Sequence, residues 1–327
     1  MSRLRLFLLA TVLAALGLCS SAGAAPITLG QLAAPGKALD CSPSNGRDEA
    51  QTSVAAGNGY VVPTAGLLTS WSTRTELKGS MGLKVFRPLA GQYLVLAADG
   101  PQTLQPGLLM TFPVSIPVLP GDLVGIELPP FAGAGCYFKT GLEADVHSYH
   151  VERVSVGSTV KFDGGTSNGG RLNISATLQP APTITSISPA TGSVKGGSLT
   201  ISGTDFAGVS AVSIGAVPVP FRVDSEGQIS ATVPPSQTLG AVPVSVTTGA
   251  GTATSAQAYV YEGCKVPKLK GKKLKATRKA AKRLDCKLGK VTKRKGATGK
   301  SGKVVQQTPK PGKVLAPGTK IKVTLAP

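Results

Sequence analysis

The chain is 327 residues long and carries 35 Lys+Arg against 16 Asp+Glu, a formal net charge of +19. Its 41 Gly and 25 Pro, with many Val, Thr and Ser and no stretch of helical periodicity before residue 263, exclude an α/β protein and indicate strands joined by tight turns. Residues 263–327 hold 21 Lys+Arg and one acid, Asp285, a sum of +20, while the preceding residues hold 14 basic and 15 acidic groups, a sum of −1, so the charge is not an even solubilising coat.

In chain order, Arg3 and Arg5 precede the apolar run 6–18, which is too short to span a bilayer and right for the core of a leader. Ala22, Gly23 and Ala24 follow as a cleavage motif, which predicts a signal peptide over residues 1–24 and export of the rest. Cys19 follows Leu18 where a lipid-anchor signal wants a small residue, and no second apolar run reaches membrane-spanning length.

Residues 25–180 show short alternating runs at 60–63, 66–72, 83–87, 93–96 and 120–128, read as strands of a β-sandwich or jelly roll. Trp71 is expected in its core, although an exposed Trp would serve as a sugar platform. Gly165, Ser167 and Gly169 satisfy G-x-S-x-G, but without a strand-to-helix context the segment reads as a turn. His147 and His150 are the only histidines; alternation places them on opposite faces of a strand, which argues against a shared metal and for solvated positions. Asp122, Glu127, Glu143 and Asp145 are the acids that a glycoside-cleaving pair would need, and nothing in their spacing brings them together. No catalytic, metal or cofactor-binding residue is assigned.

Residues 182–261 begin with Ile184, Ile187, Pro189 and Gly192, continue through Gly196-Gly197, Ile201, Gly203 and Phe206, and end in Ile229-x-x-x-Val233-Pro234 and Val244-x-Val246-x-Thr248 patterns. Gly203 and Gly215 are expected at turns. These motifs resemble the IPT/TIG immunoglobulin-like domain, and the resemblance implies a spacer or interaction module with no chemistry of its own.

Residues 263–327 change pattern. Val266-Pro267 and Gly271 lead into a helix over 272–284 with Leu274, Thr277, Ala281 and Leu284 on one face and Lys275, Lys279, Lys282 and Arg283 on the other. Strands follow from Leu288 and Val304, then Gln307, Pro309, Gly312, and a closing Gly318-Thr319-x-Ile321-x-Val323. This unit is similar to the PASTA domain throughout, which implies a small α+β fold and a link to peptidoglycan fragments and β-lactams. It departs from the family pattern in its single copy, in the absence of an accompanying kinase or transpeptidase, in its basic charge and in an added cysteine pair.

Without Cys19 the cysteines fall into two pairs by position, Cys41–Cys136 and Cys264–Cys286, as export into an oxidising compartment predicts; C-x-x-C clusters for zinc are absent. The expected function is that of a secreted, non-enzymatic envelope protein. Its basic unit would hold peptidoglycan or another anionic wall polymer through Lys275, Lys279, Lys282, Arg283, Lys293, Arg294 and Lys295, with no specific nucleic acid as partner because aromatic interleaving for base stacking is missing. A carbohydrate or protein ligand is expected for the N-terminal domain; the alternatives are a polysaccharide-acting enzyme with its active site there, or an adhesin.

Overall fold

The computed structural model describes residues 25–327; the expected signal peptide lies outside the described residues. Among those described, strands dominate and Leu274–Lys282 is the one α-helix. It is not long and apolar enough to cross a membrane.

In the N-terminal sandwich a four-stranded sheet runs in the order Ile27–Gln31, Ile174–Pro180, Gly66–Arg74, Leu109–Val118. Opposite it lies a seven-stranded sheet, in the order Thr159–Val160, Gln92–Leu104, Gly79–Leu89, Leu123–Leu128, Arg47–Ser53, Val146–Val151, Gly165–Asn168. Leu68, Trp71, Leu83, Val85, Ile126 and Ile174 fill the space between them. Trp71 is fully buried, as expected, and its indole N–H donates to Asp99 Oδ2 at 2.7 Å while its ring lies against Phe112.

The Leu123–Leu128 strand is buried at all six positions, which a strand covered on one side only does not allow. Its second side faces a smaller cluster of Ala50, Phe86, Val95, Leu123 and Val160, roofed by Tyr93, Val154 and Phe162. Polar residues share that second side: along Arg47–Ser53, Gly79–Leu89 and Leu123–Leu128 the alternation that puts Leu83 and Val85 inward puts Lys84 outward, under the 152–163 segment. Two expectations fail here. Residues 60–63 make a lone bridge from Val61 to Leu123 instead of a strand, because Tyr60 turns inward and its hydroxyl donates to the Leu172 carbonyl. Gly165–Asn168 is an edge strand paired with Val146–Tyr149, not a turn.

Residues 182–262 form three small sheets around Ile201, Phe206, Val212, Ile229, Val246 and Tyr259. Gly215 has a positive φ of 65° and occupies a turn, as expected. Gly203 lies inside the Gly197–Thr204 strand, and a Cβ there would overlap the Thr183 carbonyl and the Phe206 ring, so packing and not a turn demands glycine.

In residues 263–327 the helix covers one side of a three-stranded sheet, ordered Lys287–Lys293, Lys320–Ala326, Lys303–Thr308. Ala281 meets Ile321, Val323, Leu325 and Val304 in the core, and Leu274 and Leu284 flank them. The helix ends at Lys282, and the turn after it closes at Asp285, whose φ of 52° is left-handed, while the Cys286 amide donates back to the Ala281 carbonyl at 3.0 Å. Both expected disulfides form, Cys41–Cys136 and Cys264–Cys286. The second closes a loop with a sequence separation of 22 around a core of only nine buried side chains.

Replacing both Cys264 and Cys286 by Ala should therefore cost the C-terminal unit about 3 kcal/mol, the chain-entropy value for a loop of that length. Urea unfolding followed by far-UV circular dichroism reads this loss, while Trp71 fluorescence, the single Trp, should report an unchanged N-terminal transition.

Candidate polyanion-binding surface and the clefts of the N-terminal sandwich

The helix Leu274–Lys282 buries Thr277 and Ala281, so helical spacing turns Lys275, Lys279, Lys282 and Arg283 to the opposite side, where all four are exposed. Lys279 and Lys282 in the last turn complement the helix dipole. Lys272, Lys273 and Lys275 at its start oppose the dipole, and no acid sits in the first turn to offset them. Local helix stability therefore does not account for this charge. Lys293 ends its strand, and Arg294 and Lys295 enter the turn that follows; all three are exposed. The loop beyond them returns to the start of the helix, where Gly299 faces Leu274.

All 21 Lys and Arg side chains of residues 263–327 are exposed, and among the described residues none of them forms an ion pair. Asp285, the one acid of the unit, is exposed as well. Repulsion between so many cations on one small surface has no internal compensation, and an external polyanion would supply it.

The ionic groups of the N-terminal sandwich are arranged in the opposite way. Lys84 Nζ donates to both Asp48 carboxylate oxygens at 2.7 Å and to the Val154 carbonyl at 2.6 Å, and lies 3.3 Å from Glu127, which also accepts from Arg153. Burial pushes the Asp48 carboxyl up, against the pull of Lys84. Asp122 accepts a two-pronged contact from Arg87 at 2.8 Å. Asp145 accepts from buried Arg171 at 2.8 Å. Burial alone would raise the Asp145 carboxyl, but hydrogen bonds from Arg171, Thr140 and the Ala55 amide outweigh it and hold its pKa below the ordinary value. Three of the four candidate acids, Asp122, Glu127 and Asp145, are thus neutralised by different bases and do not meet as a pair.

His147 departs from the solvated position expected for it. It is 3% exposed, and its Nδ1 lies 3.1 Å from Glu49, which also pairs with Arg47. His150 faces the other side of the strand, at 3.1 Å from Asp163, whose carboxyl it holds below the ordinary range. Ser167 sits opposite His147 in the strand register, a placement that the glycine-rich sequence hid. No hydrogen bond joins the two, so the nucleophile–base contact of a hydrolytic relay is not made. Cys41, Cys136 and Glu49 bring donor atoms within 4.8 Å of one another, but the sulfurs are bonded to each other and Glu49 is engaged by Arg47 and His147, a poor set for a metal.

Two open clefts lie on the outer side of the seven-stranded sheet. One, of about 490 Å³, is lined by Thr52, Tyr93, Ser148, Lys161, Phe162 and Asp163; the other, of about 420 Å³, by Lys84, Glu127, Arg153 and Val154.

Comparison with known families places an IPT/TIG domain at residues 182–261 and a PASTA domain at residues 265–327. A search of curated proteins finds no match. Similar solved structures include SGBP-B from a complex xyloglucan utilization locus in Bacteroides uniformis, with 13% identity over 60% of this chain and 49% of that one, at a TM-score of 0.23. The γ-CGTase from alkalophilic Bacillus clarkii shares 20% identity over 34% of this chain and 17% of its own, at a TM-score of 0.22. The full extracellular region of plexin A4 shares 14% over 66% and 26%, at 0.23. The chain spans less than half of each of these, and likeness at such scores carries no argument about function.

Asp145→Asn should leave Arg171 buried without its counter-charge and cost about 3 kcal/mol or more at pH 7. A carboxyl whose folded pKa is depressed stabilises above its unfolded pKa, about 4, and loses that contribution as pH falls through the folded value. The gap between wild type and variant should therefore be full at pH 7 and close below about pH 4, as read by urea unfolding at a series of pH values.

Proposed function

We propose that this chain, with its IPT/TIG and PASTA domains, is a secreted cell-envelope binding protein without catalytic activity, whose basic unit holds peptidoglycan or another anionic wall polymer. The observation that carries this reading is that every cation of residues 263–327 is exposed and none is matched by an internal acid. The PASTA match supports a peptidoglycan-like ligand in particular. Two disulfides support an oxidising compartment, in keeping with the leader read in residues 1–24. In this reading the IPT/TIG domain is the spacer between the wall and an N-terminal sandwich that presents its two clefts to a carbohydrate or protein. The neutralised acids of the sandwich favour binding there over glycoside cleavage.

Binding by charge neutralisation weakens steeply with salt, because each contact releases counterions. Retention of the full chain on purified sacculi should therefore fall as salt rises from about 50 to 200 mM. The seven-fold variant with Lys275, Lys279, Lys282, Arg283, Lys293, Arg294 and Lys295 all changed to Gln should lose most of that retention at low salt. Equal retention of the variant would move the wall contact to another part of the chain and overturn the assignment. Salt-resistant retention that still required these residues would indicate a shaped muropeptide site in place of charge neutralisation.

A further inference from the structure

The three-stranded sheet of residues 263–327 has a second side that the helix does not cover. Along Lys320–Ala326 the alternation is regular: Ile321, Val323 and Leu325 are buried under the helix, which turns Lys320 and Lys322 to the far side. The register extends that side across the sheet. Lys287 pairs with Lys320, Lys303 with Ala326, Gln306 with Thr324 and Thr308 with Lys322. Lys287, Lys303, Lys320 and Lys322 are all exposed in the full chain, so neither of the other domains covers them.

Two physical features single this face out. Lys287 and Lys320 stand side by side on neighbouring strands, a like-charge cross-strand pair that destabilises a sheet unless something outside neutralises it. The seven positions from Lys320 to Ala326, at about 3.3 Å per residue, also spread the charge over roughly 20 Å of a surface that includes Thr308, Gln306, Thr324 and Ala326. That suits an extended chain better than a compact ligand. On the helix side Lys275, Lys279 and Arg283 point the opposite way across the core of Ile321, Val323 and Leu325, while Lys282 and Lys287 both line one cleft at the edge between the two sides, together with Glu262 and Asp285. The layers between the two sets are about 10 Å thick, at or beyond the screening length of about 8 Å at physiological salt. Two polyanion chains on opposite sides would therefore repel each other little.

We propose that residues 263–327 carry two opposed cationic faces, one on the helix and one on the outer side of the sheet, and that a single protein bridges two anionic glycopolymer chains. This rests on the wall-binding reading above and extends it from attachment to cross-linking. The probe is polygalacturonate, coupled to beads and also free with a fluorescent label. Full-length protein is bound to the beads, and recruitment of the labelled chain is measured. Three three-fold Gln variants, each lowering the net charge equally and sparing the edge pair Lys282 and Lys287, are compared: Lys275, Lys279 and Arg283 for the helix face; Lys303, Lys320 and Lys322 for the sheet face; and Lys265, Lys268 and Lys310 as a charge-matched control.

Wild type and control should recruit the second chain. Each face variant should still bind the beads, with a salt slope lower by about 3, yet recruit the labelled chain at least about tenfold less. Thermal unfolding at or above the wild-type temperature confirms that the variants keep the fold. Loss of recruitment by all three variants alike would reduce the effect to net charge and overturn the proposal. So would a sheet-face variant that bridges like wild type. Failure of the wild type to bind beads at all, or to bind sacculi, would instead overturn the wall-binding reading itself. Repeating the assay with labelled duplex DNA gives the remaining comparison: bridging of DNA but not of polygalacturonate would replace the glycopolymer by nucleic acid and overturn the proposal as stated.

Discussion

A charge taken out of water must meet an opposite charge or be lost, while a charge left in water needs no partner but repels its neighbours. The three domains resolve this constraint differently. In the N-terminal sandwich Lys84, Asp48 and Glu127 are drawn under the covering segment of the seven-stranded sheet and paired there, and Arg171 and Asp145 are buried as a second pair beside Ala55 and Ala56. In residues 263–327 no cation is buried and none is paired. The first arrangement specifies how a thick sandwich closes. The second stores repulsion on a small unit, and a nine-residue core and a disulfide hold that unit together against it.

Attachment of the basic unit follows from the same economy of core. Val314, on the strand that pairs with Cys264-Lys265, packs against the IPT/TIG cluster. At the joint, Gly263 runs close to the Leu315 carbonyl and to the side chains of Leu239 and Val194, where a Cβ would not fit. A unit anchored by one edge in this way leaves its helix side and its outer sheet side both in solvent. The function proposed for it depends on that exposure.

The β character, the helix with its apolar face of Leu274, Thr277, Ala281 and Leu284, and both disulfide pairs were legible in the sequence, because each rests on local spacing or on counting. The N-terminal domain was less legible. Segment 165–168 reads as a glycine-rich turn until Val146–Val151 comes alongside to pair with it. His147 reads as solvated because its strand looks half polar, yet Tyr137 lies against its ring and Glu49, 98 positions away, reaches its Nδ1. Gly203 reads as a turn residue, whereas what requires it is the approach of Phe206 and the Thr183 carbonyl within a strand.

By itself the sequence determined where charge concentrates, which segments alternate and which cysteines share a domain, since those properties belong to residues and their nearest neighbours in the chain. Only the tertiary structure decided which charges are buried in pairs, that Asp122, Glu127 and Asp145 are each neutralised by a different base, and that Lys320 and Lys322 lie on the side of their sheet away from the helix. The physical reason is that pairing and facing depend on strand register across the sheet. Register is set by long-range packing of alternating side chains against a shared core, and a shift of one residue would turn every one of those charges to the other side.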